Sequence, residues 1–301
     1  MTNTSVEQKP SETALIAALR RTIANKEYKN NCFGPDYLAE YFLPIHFRFF
    51  LKFNKIRTNT KAKLDGFFPG VTAYIIARTA YFDNIFVAAL KDGTPQIVLL
   101  GAGYDSRAYR FAKLIQGTKV FELDIAPTQE RKTECLKRAK INIPRQVAFV
   151  PIDFNQESLK DVLERAGYQN QQKSLFIWEG VSYYLDPESV DATLEFFSRL
   201  SHPDSLLAFD YTISITEENL HDYYGAKEFF QSMQEQHKSE KLTFSIDEGK
   251  IGSFLEQRNL KIVEHLDNEA IERTFLTGDD GLLIGQIPGH FRFVLVTPKG
   301  L

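Results

Sequence analysis

The sequence predicts an α/β fold built on a largely parallel, doubly wound sheet. Three observations predict it. Strand-like apolar runs recur from residue 96 onward, and the first five alternate with helical stretches. The first run, Gln96 to Leu100, ends in Gly101-Ala102-Gly103 ahead of a helix-like segment. Glycine there permits a positive φ and removes the Cβ that would keep a ligand off the backbone. The second run, Lys119 to Asp124, ends in a carboxylate. It follows the glycines by about 20 residues, the spacing at which nucleotide-binding folds place an acceptor for a ribose diol.

The elements follow in order. Residues 1–95 read as an N-terminal helical cap with an aromatic cluster at Tyr37, Tyr41, Phe42, Phe47, Phe49 and Phe50. Inside it, Val71, Ile75, Phe82, Phe86 and Ala89 recur at helical spacing, and Arg78 falls on the same stripe. Residues 96–301 form the ligand-binding domain. Its strands are expected at Ile97–Leu100, Lys119–Asp124, Val147–Phe154, Leu175–Val181, Leu206–Thr212, Lys261–Leu266 and Phe291–Val296, a seven-stranded sheet. A highly charged helix should run from Pro127 to about Lys140. Asp186 should cap another that starts at Pro187 and packs through Val190, Leu194 and Phe197. Residues 213–246 interrupt the fifth and sixth strands and carry Tyr223, Tyr224, Phe229 and Phe230. Inserted segments this long are usually lids, so both aromatic segments are expected over the carboxyl ends of the strands.

Composition narrows the function. At 301 residues and 43% hydrophobic, the chain can bury a large core. A net charge of −3 leaves no basic footprint for nucleic acid. Cys32 and Cys135 are too few for a disulfide framework. The polar first residues do not read as a signal peptide, and no apolar run is long enough to span a membrane. A soluble cytoplasmic protein acting on a small molecule, with no nucleic-acid or membrane partner, is expected.

The chemistry lies at the strand ends. Asp105, Asp124, Asp153-Phe154, Glu179 and Asp210-Tyr211 all fall there. Carboxylates near a buried sheet rim need partners. None of the six histidines joins them, so a donor-rich nucleoside fits better than a metal. Arg78, facing the core, needs an anion: an internal carboxylate, or the carboxylate of an amino-acid-like ligand gripped in a bidentate way. A nucleoside with an amino-acid tail is S-adenosylmethionine. The glycine motif alone is weak, because Ser106 stands where a dinucleotide fold usually has a third glycine.

Taken in order, these motifs resemble the leucine carboxyl methyltransferase family, including its bacterial branch of S-adenosylmethionine-dependent methyltransferases. The resemblance rests on Ala77-Arg78-Thr79-Ala80-Tyr81-Phe82-Asp83, Gln96 to Arg110, Phe121-Glu122-Leu123-Asp124, Val150-Pro151-Ile152-Asp153-Phe154 and Glu179-Gly180-Val181-Ser182-Tyr183-Tyr184-Leu185, and covers roughly residues 70 to 212. Ser106 replaces the family's threonine. The N-terminal half resembles O-methyltransferases of cyanobacteria that tailor polyketide–peptide products such as microcystin.

The resemblance implies a class I methyltransferase, Rossmann-like fold. It also implies cofactor roles: Arg78 on the methionine carboxylate, Gly101 and Gly103 alongside methionine and ribose, Asp124 on the ribose, Asp153 on the adenine amino group, Phe154 on the adenine face and Glu179 on the ammonium. The acceptor is expected to be the hydroxyl of a small natural product, free or carrier-tethered. The reason is the aromatic density of the two segments, and the acids Glu217, Glu218, Asp222, Glu228, Glu235 and Glu240 of the insertion, which suit an acidic peptide poorly. A hydroxyl needs a base, for which His221, Asp210 and Tyr211 are the candidates; a carboxylate acceptor needs none. An NAD-dependent oxidoreductase and a non-catalytic binding protein are the remaining classes, and Ser106 with Arg78 argues against the first.

Overall fold

The computed structural model describes residues 9–28, 36–154, 156–236 and 242–300. Cys32 and Glu240 lie outside them. The strands are β1 (Gln96–Leu100), β2 (Lys119–Asp124), β3 (Val147–Pro151), β4 (Ser174–Trp178), β5 (Leu206–Thr212), β6 (Leu260–Leu266) and β7 (Phe291–Pro298). They form one seven-stranded sheet in the order β3-β2-β1-β4-β5-β7-β6. The first five pair in parallel; β7 inserts antiparallel between β5 and β6. This is the α/β, class I arrangement expected from the sequence. The order reverses between β1 and β4, and such a crevice at the carboxyl ends of the strands is where these sheets bind ligands.

The helices are α1 (Glu12–Tyr28), α2 (Ile45–Phe50), α3 (Asn54–Phe67), α4 (Val71–Lys91), α5 (Arg107–Arg110), α6 (Ala126–Arg138), α7 (Leu159–Arg165), α8 (Pro187–Leu200), α9 (Ala226–Gln236), α10 (Ile251–Glu256) and α11 (Asn268–Phe275). Helix α8 begins as its sequence dictates: the Asp186 side chain accepts from Ser189 N at 2.7 Å, with Pro187 in the first turn. No helix of the described residues is long and apolar enough to cross a membrane.

Three expectations change. The third and fourth strands end earlier than Phe154 and Val181, so Phe154 and Glu179 sit on the turns beyond them. The segment after the glycines is a single helical turn, α5. Helix α4 is buried almost all round from Thr72 to Asp83, which a one-sided stripe does not describe. It joins α1 and the sheet in one apolar cluster that includes Ala18, Phe82, Phe86, Ile97, Leu99 and Ile177. Packing therefore runs through position 95.

Candidate active site

A cavity of about 720 Å³ opens over the β1 and β4 ends. Its floor is the turn Gly101 to Asp105, with Asp124, Phe154, Glu179 and Gly180 beside it. Gly101 has φ of +67°, and a Cβ there would overlap a Val181 methyl. Gly101→Ala is thus expected to cost about 1–2 kcal/mol for the left-handed backbone alone, and more until Val181 moves. Thermal melting should show it, and Val181→Ala in the same chain should recover part. Full stability of the single variant would mean that the turn adapts freely.

Asp124 holds this turn from below. One carboxylate oxygen accepts from Gly103 N at 2.7 Å and the other from Ile125 N at 2.8 Å. Burial raises its pKa, and these two amides and Lys132 counter the rise. Asp124 still lines the cavity and is only partly buried. The sequence signalled it as a ligand acceptor; its grip on the glycine turn appears only in the fold.

Arg78 and Glu179 meet across the cavity wall. Arg78 Nε lies 3.0 Å from Glu179 Oε1, and Glu179 Oε2 lies 2.7 Å from an Arg107 guanidinium nitrogen. Arg78 also approaches Asp210 Oδ2 at 3.4 Å and the Tyr183 hydroxyl at 3.2 Å. The internal ion pair weighed from sequence is therefore present, and both residues face the cavity as well. Oε1 is close enough to Nε for charge pairing, yet Nε is buried with no hydrogen-bond acceptor among the described residues. Gly180 makes room for this guanidinium: its φ is +72°, and a Cβ there would lie 2.6 Å from the Arg78 terminal nitrogen.

Beneath the turn lies a buried charge network that sequence reasoning missed. Asp83 accepts from Arg107 Nε at 2.8 Å and from Arg110 at 2.6 and 2.7 Å. Arg21 Nε donates to Asp36 at 2.9 Å. Burial raises the Asp105 pKa, but Arg107, Lys132 and Arg110 around it together outweigh that, leaving the carboxyl below its ordinary value. The signal was two arginines three residues apart on a buried turn just past the glycines. Helix α1 falls within the expected helical cap, but its place on the cavity was missed too. Its small residues Ala14 and Ala17 let it close one side of the cavity, and a Cβ on Gly103 would lie 3.1 Å from that of Ala14.

The catalytic candidates fare differently. His221 is exposed and does not line the cavity, because its segment turns outward before α9 begins. Tyr211 also lies off the cavity, its hydroxyl 3.0 Å from His265 Nε2, because alternate residues of a strand face opposite sides of the sheet. Neither side chain reaches the cavity. Asp210 is fully buried and does not line the cavity. Its Oδ1 accepts from Gly180 N at 2.6 Å, and its Oδ2 accepts from the hydroxyls of Tyr74 and Tyr183, both of which line the cavity. Burial raises its pKa, and Arg78 draws it back. Phe154 lines the cavity as expected, whereas Asp153 does not.

Phe229 of α9 and Thr243 of the insertion line the cavity. Of the N-terminal cluster only Phe42 is deeply buried, stacked on Tyr104 with ring centroids 5.3 Å apart. Tyr37, Phe47, Phe49 and Phe50 are exposed instead of closing over the strand ends.

Behind Phe229, His290 is fully buried against Phe229, Phe230 and Phe291, and neither ring nitrogen has a hydrogen-bond partner among the described residues. Burial, then Arg292, pushes its pKa down to about 3. The unfolded chain therefore binds the extra proton between its own pKa, near 6.5, and 3, and stability is lost as pH falls through that window. The expected slope is about 1.4 kcal/mol per pH unit from this group. His290→Phe should flatten that part of a stability–pH curve; an unaltered curve would mean that His290 charges in the folded state.

Comparison with known proteins gives the family. The family model described as "Leucine carboxyl methyltransferase" matches residues 14–198, more than half of the chain. A Bacillus subtilis protein, "Putative S-adenosyl-L-methionine-dependent methyltransferase YktD", is 32% identical over 207 residues, which are 67% of this chain and 66% of that one. A Mycobacterium tuberculosis protein of the same description is 36% identical over 135 residues, 45% of this chain and 42% of its own. The chain thus spans from two fifths to just under two thirds of these relatives. A crystal structure of a "putative methyltransferase" from Thermobifida fusca shares the fold with a TM-score of 0.61, covering 98% of this chain and 97% of that one at 15% identity. A DUF574 family protein from Streptomyces avermitilis does so with a TM-score of 0.62, covering 97% and 98% at 10% identity.

Proposed function

The chain belongs to the leucine carboxyl methyltransferase family, and on that premise we propose that it binds S-adenosylmethionine and moves its methyl group to a hydroxyl oxygen of a small, largely apolar acceptor, free or carrier-tethered. The observation that carries the hydroxyl is the pair of cavity-lining tyrosines, Tyr74 and Tyr183, both hydrogen-bonded to the buried Asp210 carboxylate.

The residues present fit the cofactor. The Arg78 side chain lines the cavity, where its guanidinium would meet a ligand carboxylate. Gly101 and Gly103 open the floor to close approach, Asp124 offers acceptors on the β2 side, and Phe154 offers an aromatic face. Glu179 would meet an ammonium, its charge shared with Arg78 and Arg107. Asp153 has no such support. Bound there, S-adenosylmethionine supplies an electrophilic methyl group on a sulfonium.

The chain's own work is to position, to exclude water and to take one proton. Tyr74 and Tyr183 accept a hydrogen bond from the acceptor hydroxyl while donating to Asp210. As the hydroxyl oxygen attacks, its proton passes to a tyrosine oxygen, and the tyrosine proton passes to Asp210. Ile16, Ala17, Phe68, Val71 and Phe229 supply the apolar wall for the acceptor.

A carboxylate acceptor is the second reading. It is favoured by the description of the matching family and by three of the four acids that line the cavity: Asp36, Asp105 and Glu179 are ion-paired, and a carboxylate needs no base. Two measurements test the proposal. Calorimetry with S-adenosylhomocysteine should give a micromolar dissociation constant, about 8 kcal/mol; no heat with folded protein would end the cofactor reading. Methylation assays with Tyr74→Phe and Tyr183→Phe on polyketide-type hydroxyls and on carboxyl-ended peptides separate the acceptors. Loss on hydroxyls supports the relay, whereas wild-type rates on carboxylates alone would transfer the reading to carboxyl chemistry.

A further inference from the structure

The aromatic segment that the cavity does not use forms a surface of its own. Ile45, Phe47, Phe49, Phe50, Phe53 and Ile56 are 40–63% exposed on α2, the turn after it and the start of α3. Phe49 packs edge-on against Phe50 and Phe53, with centroids 5.9 and 5.4 Å apart, so the rings form a patch rather than scattered exposures. Along α3, Ile56, Lys63 and Phe67 recur at one-face spacing, and all three are exposed. Contiguous apolar surface of this kind marks an interaction site in a folded protein.

The charge around it is one-signed. Residues 45–67 carry six Lys and Arg against one Asp, in a chain of net charge −3. Arg48, Arg57 and Lys61 pair with Glu40, Glu27 and Asp65. Lys52, Lys55 and Lys63 are exposed and have no ion pair among the described residues. A second copy docking through this face would bring like charges together. A folded acidic partner would need a shaped pocket for the rings, and the phenylalanines stand out instead of lining one.

We infer that this face docks the protein on an anionic lipid bilayer. Phenyl rings enter the acyl boundary without shape complementarity, while the lysines meet anionic headgroups; this is the pattern of interfacial segments that lie on a membrane without spanning it. The sequence-based expectation of no membrane partner rested on the missing spanning segment, which peripheral docking does not need. The face also adjoins the cavity: Phe67 belongs to it, and the next residue, Phe68, lines the cavity.

Vesicle co-sedimentation of the full chain tests this independently of any methyl transfer. The protein should sediment with phosphatidylcholine vesicles that contain phosphatidylserine, less so as salt rises, and not with phosphatidylcholine alone. Phe49→Ser, Phe50→Ser and Phe53→Ser combined should cut the bound fraction roughly tenfold or more, and so should Lys52→Glu, Lys55→Glu and Lys63→Glu combined. Both sets change exposed side chains, and a wild-type thermal melt checks that each is folded. If one set fails to fold, the other decides. No sedimentation of the wild type, or unchanged sedimentation of folded variants, overturns the inference. So does a concentration-dependent dimer that the Phe set disperses, or binding to polyglutamate without binding to vesicles.

Discussion

Arg78→Ala is expected to lower stability by about 3–5 kcal/mol and to abolish measurable binding of S-adenosylhomocysteine. Arg78 is 7% exposed and pairs with Glu179 and with Asp210, which is fully buried. Truncation leaves both carboxylates without that cation. Breaking a buried pair by removing one partner costs this much because a charge remains buried and uncompensated. Glu179 keeps Arg107, and Asp210 keeps Gly180 N and two tyrosine hydroxyls, so the fold should survive at low temperature. The sequence leaves open an internal carboxylate or a ligand carboxylate as the partner of Arg78; the ion pairs make it a structural residue in either case. Arg78→Lys should recover part of the stability but little binding, since an ammonium lacks the planar fork. Urea denaturation and calorimetry check the two halves. An unchanged midpoint would mean that Arg78 pairs weakly in solution; normal affinity in the folded variant would remove it from the ligand site.

Asp210→Asn is expected to lower hydroxyl methylation by about 10²–10⁴-fold while keeping S-adenosylhomocysteine affinity within a few-fold. Asparagine preserves the shape and can still accept from Gly180 N, but it cannot hold the proton relayed by Tyr74 or Tyr183. Burial raises the Asp210 pKa, so wild-type activity should climb with pH as this carboxyl ionises, and that limb should vanish in the variant. Full activity of Asp210→Asn on a hydroxyl acceptor would sink the relay. Full activity on a carboxylate acceptor only would favour the second reading.

What was legible in the sequence follows from local rules. Strand runs, the Asp186 cap and the glycine turn are set by neighbours a few residues apart, and the structure shows each of them. The cavity residues Arg78, Gly101, Gly103, Asp124, Phe154 and Glu179 were legible because a parallel sheet delivers its strand ends to one rim, so position along the chain predicts position in space. His221 was misread for the same reason in reverse: it lies in an insertion outside the strand–helix rhythm, where chain position says nothing about which way a side chain turns.

The sequence by itself therefore determined the sheet, its ligand-facing rim and the chemistry gathered there. Only the tertiary structure decided three further things. It paired Arg78 with Glu179 and Arg107, so that the charges read as ligand contacts also hold one another. It set Asp210 behind two tyrosines instead of in the cavity. It brought α1 over the glycine turn and left the aromatic segment of α2 facing outward. Each depends on side chains far apart in the chain meeting in a close-packed interior. Which pairs meet there is fixed by volume and geometry, to which hydrophobic period and residue spacing are blind.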